Sequence, residues 1–157
     1  MTKEFKELRE IFGLFSTGIC LATTSQNNQD NFITINSLSS LSLDPALLLF
    51  SIDNNSSNFK AFTQNDHFVI NLLAKNQIDI SKIFSGKLSA ENFNIEQNFS
   101  RSKDNNLILK DSLGYFECKK HQIIPAGDHH IIIGSISSFS KLNSDQEPLL
   151  YYKGDYQ

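Results

Sequence analysis

Ala46-Leu47-Leu48-Leu49-Phe50-Ser51-Ile52 is a run of strand length with one hydroxyl in it, and Pro45 stands immediately before it. No polar residue alternates with the apolar ones, so the pattern predicts a strand buried on both faces. Proline has no N–H to give a ladder, and Pro45 therefore marks the strand's start. Such a strand needs neighbours, and the flanking sequence supplies them. Ile19 to Thr24 is short, apolar and rich in β-formers; Asn27 to Asn31 reads as a turn, and Phe32 to Asn36 resumes extended chain. Beyond the central run, His67 to Leu73 reads as a strand. Leu113 to Ile124 and His130 to Phe139 read as two more, joined across the turn-forming Pro125-Ala126-Gly127-Asp128. Leu149 to Tyr152 is placed to close the sheet.

Helical periodicity is confined to short pieces. Phe5, Leu8, Ile11, Phe12 and Phe15 recur at spacings of three and four among charged residues, which predicts an amphipathic helix with Gly18 as its stop. Phe59 and Phe62 suggest a short helix, and Ile78, Ser81, Lys82 and Phe84 another that ends near Gly86. Residues 87–106 are polar and aperiodic, a long excursion rather than a linker. Six or seven strands with few helices and short connections predict a mainly β architecture, an antiparallel barrel with flanking helices. A chain of 157 residues without internal period or defensible boundary is expected to be one domain, 1–157.

Composition narrows the function. Thirteen Phe against four Tyr and no Trp point to a Phe-rich core. Fourteen Lys and Arg against 17 Asp and Glu leave a net charge of −3 and no basic stripe, which disfavours nucleic acid as a partner. Cys20 and Cys118 are far apart and form no C-x-x-C pair, so they read as reduced, partly buried thiols. Met1-Thr2-Lys3-Glu4 opens a charged helix rather than a leader, and no apolar run approaches the roughly 20 residues of a membrane span. A soluble, cytoplasmic protein is the expectation.

Three stretches stand out chemically. In Thr34-Ile35-Asn36-Ser37-Leu38-Ser39-Ser40-Leu41-Ser42-Leu43-Asp44-Pro45, small hydroxyls recur among aliphatics between two apolar strands. Such residues let backbone approach a flat heterocycle and match its edge with N–H and C=O groups, or they simply bind their own backbone. Asp53-Asn54-Asn55-Ser56-Ser57-Asn58 precedes a short helix and suits either an anion, helped by Lys60, or ordinary capping. Gly127-Asp128-His129-His130 enters a strand, where adjacent side chains point to opposite faces, so the two histidines are poorly arranged to share a metal and none is expected. His67 and His121 read as surface or strand-packing residues. Neither G-x-G-x-x-G, nor a Walker loop, nor a G-x-S-x-G elbow is present, and a hydrolase is disfavoured.

Taken in order, these stretches resemble the flavin reductase family with the FMN-binding split-barrel fold, which includes reductase components of two-component flavin monooxygenases. Phe15-Ser16-Thr17-Gly18 is similar to its F-[AS]-T-G opening, and Thr34 to Pro45 to its T-x-N-S-[FL]-x-S-[VL]-S-[LD]-x-P pattern. Phe68-Val69-Ile70-Asn71-Leu72-Leu73 resembles F-x-[VI]-N-x-L, and Gly127-Asp128-His129 with Ile133-Gly134 resembles G-D-H-x-[IL]-x-[IV]-G. The end, Pro148 to Tyr156, is similar to P-L-[LV]-Y-x-[RK]-G-x-Y. The resemblance implies an NAD(P)H:flavin oxidoreductase that uses NADH or NADPH and FMN or FAD. It implies a homodimer with flavin near the subunit interface, and a possible monooxygenase component that receives the reduced flavin.

Carried over by residue, Thr34, Asn36, Ser37, Ser39, Ser40 and Leu41 would line the flavin ring and ribityl chain. Asp53, Ser56 and Ser57 would lie along the ribityl–phosphate end, with Phe84 and Ser85 on the phosphate side. Tyr152 would sit beside the site, and His129 near the nicotinamide as the catalytic-site histidine. Asn54 and Asn58 depart from the basic residue and the Thr common in the family, and residues 89–106 lack its aromatic and proline landmarks. The alternatives are a flavin- or haem-binding carrier or sensor of the same fold, a pyridoxamine-phosphate oxidase-like enzyme, which the sparse basic residues disfavour, and a plain interaction module.

Overall fold

The computed structural model describes residues 3–157; Met1 and Thr2 of the charged opening lie outside them. Helix α1 (Lys3–Gly13) leads into β1 (Thr17–Gly18), β2 (Cys20–Gln26), β3 (Gln29–Ile35), β4 (Ser39–Leu43) and β5 (Ala46–Asp53). Helix α2 (Phe59–Gln64), β6 (His67–Leu72) and helix α3 (Ile78–Phe84) follow. The polar excursion folds into a short helix α4 (Ile95–Asn98) and the small hairpin β7 (Phe99–Arg101) and β8 (Leu107–Leu109). A long hairpin, β9 (Gly114–Ala126) and β10 (His129–Lys141), precedes β11 (Leu150–Tyr152) and β12 (Asp155–Tyr156).

Seven strands form one antiparallel sheet in the order β3-β2-β6-β9-β10-β5-β4. Two of its tight turns show the chemistry they need in left-handed backbone. Asn27 and Asn28 sit at φ 52° and 61°, a left-handed pair that asparagine tolerates, so Gln26 already faces Gln29 and the turn is shorter than Asn27–Asn31. Gly127 at φ 63° does the same for β9 and β10. The edge strands β3 and β4 are not laddered together; Ser37, between them, accepts a hydrogen bond from the Ser51 N–H at 3.0 Å and donates to its carbonyl at 3.3 Å. That contact pins the end of β3 onto β5.

Three sequence expectations are corrected. The central run is buried on one face only: Leu48, Phe50 and Ile52 are core residues, whereas Leu47, Leu49 and Ser51 are half-buried, because the second face has only partial cover within one copy of the chain. Helix α1 stops at Gly13 rather than Gly18, where the Gly13 carbonyl accepts the Lys153 N–H at 2.8 Å and chain from the far terminus takes over. The tail does not close the large sheet. It pairs with β1 and β12 in a separate three-stranded sheet.

Two apolar clusters hold these layers together. Phe50 lies edge-on to Phe62 and Phe68, with Cys20, Ile70, Cys118 and Ile132 around them. Both cysteines are free, and burial pushes each thiol up to about 12. The second cluster joins Leu21, Leu73, Phe99, Leu107, Leu109 and Leu149 beneath the excursion. Side-chain hydrogen bonds fasten β8 there: Thr23 Oγ1 donates to the Leu107 carbonyl at 2.6 Å, and Asn106 Oδ1 accepts from the Ser25 N–H at 2.7 Å. Buried Asn71 adds two more, donating to the Leu21 carbonyl at 3.1 Å and accepting from the Leu109 N–H at 2.8 Å. Arg101 grips Asp30 bidentately at 2.7 and 2.8 Å, which holds that carboxyl below its ordinary range. Helix α1 is the exception to this packing. It buries no residue, and Phe5, Ile11 and Phe12 are each more than half exposed.

Candidate functional site

The end of β3 is where sequence-remote residues converge. Thr34, Asp53, Ser56, Ser57, Phe84 and Ser85 line one cavity of about 600 Å³. Asn36, Ser37 and Ser39 line a second of about 550 Å³, together with Phe15 and Thr17. His129 lines a third of about 750 Å³ with Asn36, Thr17, Arg9 and Tyr151. A small recess of about 180 Å³, walled by Thr34, Asn36, Ser85, Lys87 and Tyr156, adjoins them. Asn36 is common to three of these spaces and Thr34 to two, so the cavities form one groove that bends around the end of β3.

Three of the expected residues fall elsewhere. Ser40 and Leu41 lie on the exposed edge strand β4 and line none of these cavities. Tyr152 is also outside them; neighbouring strand residues face opposite ways, and it is Tyr151 that enters the groove. Lys60 lines none of them either, and no Lys or Arg lines the cavity of Ser56 and Ser57. Lys87, in the adjoining recess, sits 5.8 and 5.4 Å from the ring centres of Tyr151 and Tyr156.

Most of the hydroxyls are already engaged. Thr34 Oγ1 donates to the Ser81 carbonyl at 2.9 Å and ties β3 to α3. Ser37 is spent on Ser51, and Ser39 Oγ donates to the Ser40 carbonyl. Ser56 Oγ accepts from the Asn58 N–H at 3.2 Å, and the Asp53 carboxylate from the Asn55 N–H at 2.7 Å. These side chains shape the groove rather than face it freely, and around Asn36 the wall is largely apolar, with Phe15, Leu38, Leu73 and Leu149 in it. Phe84 stacks on Phe32 with centroids 4.4 Å apart, which makes it wall rather than contact. Thr17 Oγ1 is buried without a hydrogen-bond partner beside two of the cavities, a polar group whose needs the described residues do not meet.

The histidine end is built differently. His129 faces Asp53 across the β5–β10 ladder, and its Nδ1 lies 2.7 Å from Asp128 Oδ1. This contact fixes the ring and holds the Asp128 carboxyl below its ordinary range. His130 points to the opposite side, 2.6 Å from Asn54 Oδ1 and edge-on to Phe59. Among the described residues no three metal-ligating side chains come together.

Sequence reasoning passed over Arg9, Thr17, Phe32, Lys87, Tyr151 and Tyr156 as groove residues. For Tyr151 the signal existed, since strand alternation separates it from Tyr152. Arg9 and Lys87 carry no such signal, because only the docking of α1 and of the turn after α3 brings them in.

Comparison with known proteins gives concordant results. Residues 12–157 match the flavin reductase like domain. The chain is 38% identical to the reductase component of the flavin-dependent trigonelline monooxygenase of Acinetobacter baylyi, over 98% of this chain and 48% of that protein. It is 30% identical to the reductase subunit HsaB of a flavin-dependent monooxygenase of Mycobacterium tuberculosis, over 96% of this chain and 80% of that one. The flavin reductase PheA2 in its native state superposes with a TM-score of 0.89 at 28% identity, covering 100% of this chain and 97% of the other. The chain spans about half the length of the first two curated relatives it matches.

Proposed function

We propose that this chain, which belongs to the flavin reductase like domain family, is an NAD(P)H-dependent flavin reductase whose one domain extends over 1–157. The observation that carries the reading is the convergence on Asn36: the cavity of Ser37 and Ser39 reaches it from one side, and the cavity of His129 from the other. The lining fits a long, flat ligand with a polar edge, since apolar side chains wall its middle, the amide of Asn36 lies among them and the unmet hydroxyl of Thr17 lies beside it. In this assignment Asn36, Ser37 and Ser39 border the ring of FMN or FAD, and Thr34 the ribityl chain. Asp53, Ser56, Ser57, Phe84 and Ser85 surround the phosphate end, where turn backbone rather than lysine supplies the donors.

When bound, the nicotinamide would supply a hydride to the flavin, and the protein's part is orientation and electrostatic support. His129, held by Asp128, orients the nicotinamide. Ser40 and Leu41, on the edge strand β4 outside these cavities, take no part in this assignment. The test is protein-dependent bleaching of the flavin band by NADH or NADPH without oxygen. His129→Ala is expected to slow it on the order of 10- to 100-fold. Flavin binding with no bleaching would instead favour a carrier or sensor of the same fold.

The same reading includes a homodimer, a monooxygenase component that receives reduced flavin, and a cytoplasmic location, in keeping with two free thiols. Among the described residues no helix is long and apolar enough to cross a membrane. The uncovered apolar face of α1 and the half-covered face of β5 supply a surface for the second copy. Ile11, 65% exposed and outside the groove, is its simplest probe. Ile11→Asp is expected to shift sedimentation from dimer to monomer while the Tm of the monomer changes by no more than a few degrees. A dimer unchanged by Ile11→Asp would move the interface elsewhere.

A further inference from the structure

The loop after β5 and the turn before β10 are stitched together by one residue. The Asn54 N–H donates to the Asp128 carbonyl at 3.0 Å, and its Nδ2 reaches the Gly127 carbonyl at 3.4 Å. Its Oδ1 lies 2.6 Å from His130 Nδ1, so that nitrogen carries the proton. On its other side the His130 ring meets the edge of Phe59, the first residue of α2, with centroids 4.9 Å apart. His130 is therefore held between an amide and an aromatic ring.

His129 and His130 are neighbours on one strand and point to opposite faces, so contacts that hold His130 steady the strand end from which His129 projects. Asp128 alone cannot do this. It is fully exposed and travels with the turn it belongs to, whereas Asn54 directly follows the last residue of β5, Asp53, and its own N–H is bonded to the Asp128 carbonyl. We infer that Asn54 is a positioning residue: acting through His130 and the Gly127-Asp128 turn, it holds His129 toward the cavity shared with Asn36. Because Asn54 adjoins Asp53 and lies two residues from Ser56, the same loop borders the phosphate-side cavity. The two ends of the groove are thus set by one loop. This inference rests on the reductase reading for its kinetic part and on the hydrogen bonds alone for its structural part.

The experiment combines both. Nitrogen-15 spectra of the histidine rings in the ligand-free protein are expected to show His130 protonated on Nδ1, and Asn54→Ala is expected to shift it to the Nε2 form. In NADH-dependent FMN reduction, Asn54→Ala is expected to lower kcat about 5- to 10-fold, with the Kd for FMN within about twofold of the unmodified protein, the size of effect a lost orienting contact gives. Asn54→Asp keeps the acceptor and is expected to restore kcat to within about twofold. Unchanged ring tautomers in Asn54→Ala would overturn the clamp, and an unchanged kcat, or an Asp variant as slow as the Ala variant, would overturn the positioning role. An unmodified protein that binds FMN without turnover would defeat the reductase reading, while the spectra would still decide the clamp.

Discussion

Asn71→Leu is expected to cost about 3 kcal/mol and to lower Tm by roughly 10 °C, because it strands one buried N–H and takes a partner from a buried carbonyl. Asn71 is fully buried on β6, and its amide is the link between β2 and β8. Leucine matches it in size but offers neither donor nor acceptor. The Leu109 N–H would then sit among Leu107, Phe99 and Leu149 with no partner, and the Leu21 carbonyl would lose one. A thermal melt followed by circular dichroism measures the loss. Hydrogen exchange at the Leu109 amide should accelerate more than at Ile70, whose bonding lies in the main ladder. A Tm within 2 °C of the unmodified protein would mean that water or relaxation satisfies these groups.

Gly134→Ala is expected to destabilise the fold by about 2–3 kcal/mol, the cost of overpacking a dense interior. A Cβ at this position would overlap Phe68 Cζ and come 3.0 Å from Cys118 Cβ. Phe68 cannot swing away, because it is buried and set edge-on against Phe50 at 5.4 Å. Replacing glycine in a strand gains roughly 0.5–1 kcal/mol of backbone entropy, too little to offset the clash. Gly18 is the control: nothing lies within 4 Å of its Cβ position, and Gly18→Ala should leave Tm within about 2 °C. Equal melts for the two variants would show that the core around Phe68 yields.

Both residues lie in stretches that carry the family resemblance, and both are structural. That distinction was not legible in the sequence. Asn71 in an apolar strand could equally have faced a ligand, and only the arrival of β8 from a polar, aperiodic segment shows what it bonds. What was legible was the part of the fold written as apolar runs: β2, β5, β6 and the β9–β10 hairpin. β4 was missed because Ser39, Ser40 and Ser42 dilute its pattern and it pairs on one side only. The short strands β1, β7, β8 and β12 owe their existence to tertiary pairing and leave no periodic trace. At the candidate site, residues gathered by local chain, such as Ser56 and Ser57, were readable. Those brought in by α1 or by the tail, such as Arg9 and Tyr151, were not.

The ladder geometry also orders events in time. β9 and β10 are joined by a two-residue turn, so their contacts are local and their loop-closure cost is small. This hairpin is expected to form early. The pairing of His129 with Asp53 closes a loop of 76 residues, and contacts of such sequence separation form slowly and late. The junction between the two ends of the groove is therefore among the last parts of the chain to assemble. In refolding experiments, near-native β signal should precede recovery of flavin affinity, and substitutions at the junction should change the unfolding rate more than the folding rate.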